Sequence, residues 1–534
     1  MTVYECGPDM LVVDAGLAFP EEELLGVDIV IPDFSYVVEN RSRLRGVILT
    51  HGHEDHMGSM PYLLRQVEVP VYGSRLALGL VREKLSEHGL DLPPGSRSFE
   101  PGEELEIGCF RVEPFLVNHS IADAVGLALH TPVGTVVHTG DFKFDQTPVD
   151  GRVADFHRLA SLGAKGVLLL LSDSTNADRP GYTPSEKVVG EALDTIIAMA
   201  PGRVLVATFA TNVHRIQQVF DCATRRGRKV AVVGRSVENT VQVALELGYL
   251  RVEEGVLIGV EELRRYSPEK ICVLTTGTQG EPMSALSRMA TGEHRWVEII
   301  PGDTVVIAAT PVPGNEYLVH RTVDNLFRLG ARVIHGRESG VHVSGHGSQE
   351  ELKMMLNLTR PRYFIPIHGQ YRHLVRHAEL AQAAGVPAEG IMIGENGTTF
   401  EVTAESCRIA GKTQAGKVMV DGLMVGDVGT AVLRDRRQLA GDGILIVVLA
   451  TDKATGAVLS GPELISRGFV YEKGAGGDLL EEAKPRVLDT IARCRARQIQ
   501  EWQSIKRSVR DSLSAFIYDK TRRRPVIVPV ILEV

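Results

Sequence analysis

The sequence predicts a multidomain α/β protein. Short apolar runs typical of buried strands alternate with amphipathic helical stretches along most of the chain. At 534 residues the chain is too long for one ordinary core, so about two to four domains are expected. Hydrophobic residues make up 44% of the chain, and 54 glycines and 26 prolines are spread throughout, as in globular α/β proteins.

Cysteine usage and the absence of targeting signals indicate the compartment. The six cysteines lie far apart, with no CxxC pair. This argues against a disulfide framework or a structural zinc ribbon and fits a reducing cytosol. No signal peptide is visible at the N-terminus, and no apolar run is long enough to span a bilayer. We therefore expect a soluble, cytoplasmic protein that does not bind a membrane.

The charge of the chain is unevenly distributed. The formal net charge is −9, but residues 484–524 carry twelve Lys/Arg against four Asp/Glu, a local balance of +8 that leaves −17 for the remainder. Such asymmetry occurs in arms that bind polyanions and also in solvated helix faces. The charge alone leaves both interpretations open.

The densest group of candidate metal ligands follows a predicted strand over residues 46–50. His51, His53, Asp55 and His56 fall within six residues. Imidazole nitrogens suit zinc or a similar divalent ion, and a carboxylate adds negative charge. The two histidines that alternate in extended backbone point the same way, while the last two ligands lie past the turn, so two neighbouring metals fit better than one. A merely capped strand-to-helix turn is the alternative, and the density of ligands argues against it.

Other predicted strand ends carry single candidates. Asp14, His119 and Asp141 each lie where a strand runs into a loop, the usual place for ligands on a rigid scaffold. Asp14 is either a turn former or a residue that orients a histidine ligand. The strands are predicted at residues 10–14, 45–50, 110–117, 125–131 and 134–138.

From about residue 183 the pattern predicts a separate doubly wound α/β unit of about 150 residues. Gly234-Arg235-Ser236 lies between a strand and a helix of this unit, where backbone amides and an arginine can hold phosphate, although such turns are more often structural. The strands are predicted at 203–208, 229–233, 271–275, 304–309 and 331–335, and the helices at 211–225, 237–248 and 315–329.

The remaining third of the chain contains two further polar segments and a small α/β domain. His342, Ser344 and His346 precede a helix and form a plausible anion cradle with neighbouring glycine amides. His368 ends a strand, as the earlier candidates do. Residues 401–441 are glycine-rich and predicted to be an irregular connector. The last domain is predicted from a strand at 444–449, a helix from about residue 478, an apolar helical stripe over 502–516 and a strand at 525–534.

The ordered series of ligands resembles the metallo-β-lactamase superfamily. His51-x-His53-x-Asp55-His56 is preceded by Asp14 and followed by His119 and Asp141, so three separated segments agree. The resemblance implies an αββα sandwich with two metals at its strand ends.

Later motifs narrow the resemblance. Asp173, His346 and His368 are similar to the three additional motifs of the β-CASP nucleases. Gly-Arg-Ser-x-Glu-Asn at 234–239, His-Val-Ser-Gly-His at 342–346 and Arg-Arg-Arg-Pro-x-Ile-x-Pro-x-Ile at 522–531 resemble bacterial ribonuclease J, over essentially the whole chain.

The resemblance implies a domain organisation. A metallo-β-lactamase αββα sandwich would be interrupted by a doubly wound β-CASP domain and followed by a small C-terminal α/β domain. The family usually has a glycine-rich strand before the equivalent of Met1, so a truncated or misassigned start is expected. The limits are 1–185 and 341–402 for the sandwich, 186–340 for the β-CASP domain, 403–441 for a linker and 442–534 for the C-terminal domain.

The resemblance also implies roles for individual residues. Asp55, His346 and Asp173 are predicted to be catalytic, with His346 contacting the scissile phosphate or protonating the leaving oxygen and Asp173 orienting nearby groups. Manganese is an alternative to zinc. The seven ligands of two zinc ions would be His51, His53 and His119 for the first, Asp55, His56 and His368 for the second, and Asp141 as a bridge. The pocket for RNA and a 5′-phosphate would comprise Arg235, Ser236, His342, Ser344, Gly345, His346 and Gly347.

The activity implied is that of a metal-dependent ribonuclease, working 5′→3′ on 5′-monophosphate ends with added endonuclease activity, in RNA maturation and decay. A homodimer or homotetramer formed through the C-terminal domain is expected, and proteins of RNA-degradation complexes are possible partners. A DNA-directed β-CASP nuclease and a non-catalytic RNA-binding subunit are the alternatives. A β-lactam or thioester hydrolase has no use for the insert. A non-catalytic subunit should lose ligands, yet all seven candidates are present.

Overall fold

A computed structural model describes the protein over residues 1–21, 23–279, 283–311, 315–453, 455–469, 479–499 and 501–534. The chain divides into two units. The first comprises Met1–Ala18 with Ile31–Lys417, and the second comprises Phe19–Val30 with Val418–Val534. None of the described helices is long and apolar enough to cross a membrane. All six cysteines are free thiols, as their spacing predicts.

Two sheets begin the first unit, and the five strands predicted over residues 10–138 are present in them. Five helices connect or flank them: α1 (Ser35–Glu39), α2 (Glu54–Met57), α3 (Met60–Leu64), α4 (Arg75–Glu87) and α5 (Phe156–Lys165). The strands of this part of the chain are β1 (Thr2–Cys6), β2 (Asp9–Val13), β3 (Ile29–Pro32), β4 (Leu44–Ile48), β5 (Val71–Gly73), β6 (Arg97–Ser98), β7 (Leu105–Ile107), β8 (Phe110–Leu116), β9 (Val125–Thr131), β10 (Gly134–His138) and β11 (Val167–Asp173). Of these, β3 lies outside both sheets.

The insert is the predicted doubly wound domain. Its strands are all parallel, and their apolar side chains share one core with the covering helices. Its helices are α6 (Lys187–Met199), α7 (Val213–Arg225), α8 (Arg235–Glu246), α9 (Ala285–Ala290) and α10 (Glu316–Arg328). Its strands are β12 (Val204–Ala207), β13 (Lys229–Val233), β14 (Leu257–Ile258), β15 (Ile271–Thr275), β16 (Thr304–Ile307) and β17 (Arg332–Ile334), in the order β14-β13-β15-β12-β16-β17.

One helix of the insert begins earlier than predicted. The sequence places its start at residue 237, whereas α8 begins at Arg235. Gly234 has a φ of 127°, a conformation that favours glycine, and this allows the chain to enter the helix directly. Arg235 and Ser236 are therefore in the first helical turn and not in a connecting loop.

After the insert the chain returns to the second sheet. It forms α11 (Gln349–Thr359), β18 (Pro361–Ile367), α12 (Tyr371–Ala383), β19 (Thr398–Val402) and β20 (Cys407–Lys412). The first sheet has the order β1-β2-β4-β5-β6 and the second β18-β11-β10-β9-β8-β7. Apolar side chains of both sheets, such as Val13 and Leu127, lie in one buried cluster. The two sheets therefore face each other across a common core, as an αββα sandwich requires.

The second unit contains β21 (Lys417–Asp421), β22 (Met424–Val425), α13 (Thr430–Asp442), β23 (Ile444–Thr451), β24 (Val458–Arg467), α14 (Leu479–Ala496), α15 (Trp502–Thr521) and β25 (Val526–Glu533). The prediction of irregular structure over residues 401–441 was wrong, because this glycine-rich segment forms short paired strands and a helix. The predicted start of α14 near residue 478 lies outside the described residues. Strands β24-β23-β25 form a sheet whose inner face packs on α14 and α15.

A fully buried arginine forms hydrogen bonds to both the start and the end of the insert. Arg215 on α7 donates to both carboxylate oxygens of Glu186 at 2.8 and 2.9 Å, and Glu186 lies where the chain enters the insert. It also donates to the Ala308 carbonyl at 2.6 Å and contacts His342 Nδ1 at 3.2 Å, where the chain leaves. A guanidinium has no acceptor atom, so His342 accepts at Nδ1 and carries its proton on Nε2.

We expect Arg215→Ala to destabilise the protein by about 3–5 kcal/mol, because it leaves the Glu186 carboxylate buried without its partner. Chemical denaturation followed by circular dichroism measures the loss. Arg376→Ala, which breaks the exposed pair with Glu379, is the matched control and should cost about 1 kcal/mol or less. Equal effects of the two substitutions would contradict this account.

Candidate metal centre

The candidate ligands converge because strands of both sheets end at the same edge of the sandwich. The chain leaves β4 and turns at Thr50. His51 and His53 lie in the segment before α2, and Asp55 and His56 lie on α2 itself. The other candidates follow β8, β10, β11 and β18 of the second sheet, and they are His119, Asp141, Asp173 and His368.

The first cluster comprises three histidines, of which His51 and His119 are buried and His53 is half-buried. His53 Nδ1 lies 3.0 Å from His51 Nε2 and 3.1 Å from His119 Nε2. Burial holds the pKa of His51 and His119 well below the usual value and lowers that of His53 to about 4. All three rings are therefore neutral near pH 7, and their lone pairs are available to a metal.

The second cluster lies beside the first. His56 Nε2 is 3.3 Å from His368 Nε2, and Asp55 Oδ2 is 3.8 and 3.5 Å from these two nitrogens. Burial by itself lowers the pKa of His56, but the charges of Asp141, Asp14 and Asp55 outweigh it and raise the pKa to about 10. Proton uptake by this imidazole shows how negative the site is, and a divalent cation would neutralise the same charge.

One carboxylate oxygen joins the two clusters. Asp141 Oδ2 lies 3.2 and 3.5 Å from the inner nitrogens of His56 and His368. It also lies 3.9 and 3.8 Å from those of His51 and His119. Asp141 is almost fully buried, and its oxygen faces ligands of both clusters.

The donor set fits metal ions. Four-coordinate zinc with Zn–N distances of about 2.0–2.1 Å places its ligand nitrogens about 3.3–3.4 Å apart. The nitrogens within each cluster are 3.0–3.3 Å apart. In the first cluster the inner nitrogens of His51 and His119 both point at His53 Nδ1, so one cation can bind all three lone pairs. The groupings by proximity are His51, His53 and His119; Asp55, His56, Asp141 and His368; and Asp141, Asp173, His346 and His368.

A threonine and an aspartate orient His51 from behind. His51 Nδ1 donates to Thr50 Oγ1 at 3.0 Å, and Thr50 Oγ1 donates to Asp14 Oδ2 at 2.8 Å. Asp14 Oδ2 also accepts from His56 Nδ1 at 2.8 Å. Asp14 therefore fixes the side chains of two histidines whose Nε2 atoms point inward.

The same arrangement recurs on the other side of the centre. His368 Nδ1 donates to Thr175 Oγ1 at 2.8 Å, and Thr175 Oγ1 donates to Asp173 Oδ1 at 2.7 Å. His119 Nδ1 donates to the Gly345 carbonyl at 2.8 Å. The sequence interpretation missed Thr50 and Thr175. Both could have been found from the sequence, because Thr50 directly precedes the His51–His56 segment and Thr175 lies two residues after Asp173.

His346 stands next to the second cluster and is held by Asp173. Its Nδ1 donates to Asp173 Oδ2 at 2.7 Å, and its ring stacks on that of His368 with centroids 5.5 Å apart. Burial by itself lowers the pKa of His346, but the charge and hydrogen bond of Asp173 raise it above the usual value. His346 therefore tends to carry a proton beside the centre.

The loop that carries His346 is fixed by residues that the sequence did not indicate. Asn176 donates to the His346 carbonyl at 2.8 Å and to Ser344 Oγ at 2.9 Å. Thr183 Oγ1 donates to the same carbonyl at 2.7 Å. The buried Glu351 accepts from the Ser348 amide at 2.8 Å. No motif marks these contacts, because each joins segments far apart in the chain.

The predicted phosphate-binding residues lie in two places. His342, Ser344, Gly345 and Gly347 belong to the loop around His346, and a Cβ at Gly345 would lie 2.7 Å from the ring of His119. The other two residues, Arg235 and Ser236, line a cavity of about 580 Å³ at the start of α8. The Arg235 side chain is 78% exposed and pairs with Glu87 at 2.9 Å.

Family models match four successive stretches of the chain. Their descriptions are Metallo-beta-lactamase superfamily for 9–205, Ribonuclease J, beta-CASP domain for 201–326, Zn-dependent metallo-hydrolase RNA specificity domain for 330–389 and Ribonuclease J C-terminal domain for 431–534. Ribonuclease J 1 of Streptococcus pyogenes is 45% identical over 98% of this chain and 93% of its own length. This chain belongs to the ribonuclease J family. Ribonuclease J2 of Bacillus subtilis is 44% identical, over 100% of this chain and 96% of its own.

One further relative agrees with this membership, and one solved structure bears on the fold. Ribonuclease J of Thermus thermophilus is 44% identical, over 100% of this chain and 92% of its own. A crystal structure of a protein of unknown function from Enterococcus faecalis superimposes with a TM-score of 0.50. It covers 74% of this chain and 94% of its own at 15% identity, which bears on the fold alone. The predicted fold class, a metallo-β-lactamase sandwich with a β-CASP insert and a C-terminal domain, is confirmed.

We expect Asp14→Asn to weaken metal binding by about 10–100-fold, because the amide no longer orients His56 as a charged acceptor. Competition with a chromogenic zinc chelator measures the affinity. Asp91→Asn, at an exposed position, should leave it unchanged. Equal affinities of the Asp14 variant and the parent protein would remove Asp14 from the metal centre.

Proposed function

We propose that this metal-dependent ribonuclease degrades RNA 5′→3′ from 5′-monophosphate ends and also cuts internally, in RNA maturation and decay. One observation carries the proposal. The loop that holds His346 beside the metal centre also carries His342 and Ser344, four and two residues earlier. A terminal phosphate bound by this loop would lie at a fixed distance from the reacting phosphodiester, as release of single nucleotides requires.

In this proposal seven side chains hold two zinc ions, with manganese as an alternative. Two adjacent metals lower the pKa of a shared water and neutralise charge on the attacked phosphate. The convergence of inner nitrogens in two groups, with Asp141 Oδ2 facing both, supports the assignment. One ion would be held by His51, His53 and His119, the other by Asp55, His56 and His368, and Asp141 would bridge them.

His346 then acts on the phosphate. Its raised pKa keeps a proton available for the leaving oxygen, or for a hydrogen bond to the developing charge. Asp173 holds the Nδ1 proton, so the Nε2 atom is the one that contacts the substrate. Thr175 in turn fixes Asp173 and His368 together. The acid and the metal ligands are therefore oriented by one network.

The 5′-phosphate is proposed to be recognised by donors of the same loop. Arg215 forces the proton of His342 onto Nε2, where it can be donated to an anion. Ser344 and the amides near Gly345 and Gly347 would add further donors. Internal cutting would follow when RNA passes a vacant phosphate pocket. Arg235 and Ser236 are proposed to contact phosphate in their own cavity.

Digestion of one RNA bearing a 5′-monophosphate, 5′-triphosphate or 5′-hydroxyl, labelled at either end, tests this function. We expect chelator-sensitive release of mononucleotides from the 5′-monophosphate form. His53→Ala and Asp55→Ala should abolish cleavage and spare RNA binding, and His342→Ala should reduce the preference for the 5′-monophosphate. Arg376→Gln, at an exposed pair, is the control.

The outcomes separate the parts of the proposal. Internal cuts alone would retain the nuclease and remove the 5′-phosphate pocket. Full activity of His53→Ala would remove the metal assignment. No cleavage of any RNA, with binding intact, would favour a non-catalytic subunit.

We also propose that the C-terminal sheet joins two copies of the chain, as a dimer or within a tetramer. Helices α14 and α15 cover one face of β24-β23-β25, and the other face presents apolar side chains. Ile465 is 40% exposed, Val528 39% and Leu532 53%. Exposed apolar patches of this kind mark protein interfaces, and a self-complementary patch suits a second copy.

The double variant Val528→Asp with Leu532→Asp should halve the mass measured by light scattering, because it places charges in an apolar interface. Leu423→Asp is the control, since this leucine is 97% exposed and lies outside the sheet. An unchanged mass of the double variant would exclude this face as the interface.

A further inference from the structure

The two helices of the C-terminal domain enclose a groove with a polar floor. Arg486 lies over the ring of Phe516 at 5.2 Å, and Thr490 Oγ1 lies 3.0 Å from Ser512 Oγ. Residue numbers rise along α14 as they fall along α15, so the helices are antiparallel. Next to this pair is a cavity of about 320 Å³, lined by Thr490, Arg493, Cys494, Arg497, Ile499, Ser508 and Ser512.

Three arginines follow one stripe of this groove. Arg486, Thr490, Arg493 and Arg497 are spaced by four, three and four residues, which brings them to the same side of α14 and its end. Hydroxyls of Ser508 and Ser512 lie opposite. The groove therefore offers guanidinium donors in sequence along its length, whereas the hydroxyls of Thr490 and Ser508 donate to backbone carbonyls of their own helices.

Many cations of this hairpin have no acidic partner. Arg493 pairs with Asp489 at 3.2 Å, but both side chains are largely exposed, and such a pair is weak and easily exchanged. Seven basic residues form no ion pair with any carboxylate in the part of the chain that the structure describes: Arg486, Arg495, Arg497, Lys506, Arg507, Arg522 and Arg524. The last two flank the ring of Tyr518 at 5.4 and 4.5 Å.

We propose that the α14–α15 groove binds the phosphodiester backbone of single-stranded RNA, with a phosphate in the cavity between Arg493 and Arg497. Charge complementarity selects this occupant, because the segment carries +8 in a chain of net charge −9, and guanidinium groups and hydroxyls are typical phosphate donors. A second copy of the chain is a poor fit, since it would bring like charges together. The apolar surface lies on the opposite face of the sheet.

The groove holds RNA outside the metal centre and extends the proposed function. It rests on RNA being the substrate and is independent of the direction of cleavage. It resolves the charge asymmetry, because the basic segment is a binding surface in a mostly acidic chain. The groove adds affinity for long RNAs and no sequence preference, since backbone contacts carry no sequence information.

Binding of full-length protein to a fluorescent single-stranded RNA, in chelator at several salt concentrations, tests the groove. Each lost phosphate contact lowers the slope of log affinity against log salt by about 0.7 for single strands. Arg493→Gln with Arg497→Gln should therefore reduce the slope by about 1.4 and weaken binding. Arg510→Gln with Arg523→Gln is the control, since it removes the same charge from residues that do not line the cavity.

An unchanged slope in the groove variant, or an equal change in the control, would overturn the inference. A fall in mass by light scattering with an unchanged slope would also overturn it and assign the groove to contacts between copies. The parent protein could instead show no preference for 5′-monophosphate ends while the groove variant still has the reduced salt slope. That result would count against the proposed function and leave the groove in place.

Discussion

The rest of the sandwich depends on one electrostatic constraint, the convergence of five imidazoles and their carboxylates at the edge of two sheets. The neutral rings of His51 and His119 each lie at hydrogen-bond distance from His53, and a cation between them can bind all three ring nitrogens. The outer ring nitrogens are therefore fixed by Thr50, Thr175 and the Gly345 carbonyl. Hydrogen bonds to the outer nitrogen of each histidine orient its inner nitrogen toward the metal position.

The insert is fixed at the same edge by ordinary hydrogen bonds. Arg215 connects the residues at which the chain enters and leaves it, and Asn176 and Thr183 hold the carbonyl of His346. Arg215 therefore connects the insert to the loop that carries His342 and His346.

The C-terminal domain separates two kinds of surface. The apolar side chains lie on the open face of its sheet, and the unpaired cations lie on the helices that cover the other face. The proposed sites for a second copy and for RNA therefore lie on different surfaces of one domain, so separate substitutions can test them.

Local sequence determined much of the fold and the candidate centre. Period-two and period-3.6 apolar patterns are local, so the strands and the insert were predictable, and ligands such as His51 and Asp141 are recognisable by residue type at strand ends. Only the tertiary structure showed which strand ends meet, because the parallel pairing of β11 with β18 joins residues about 190 positions apart. For the same reason Asn176 and Glu351 could not be identified beforehand. Their roles come from contacts across the chain, whereas a ligand's chemistry is carried by its own side chain.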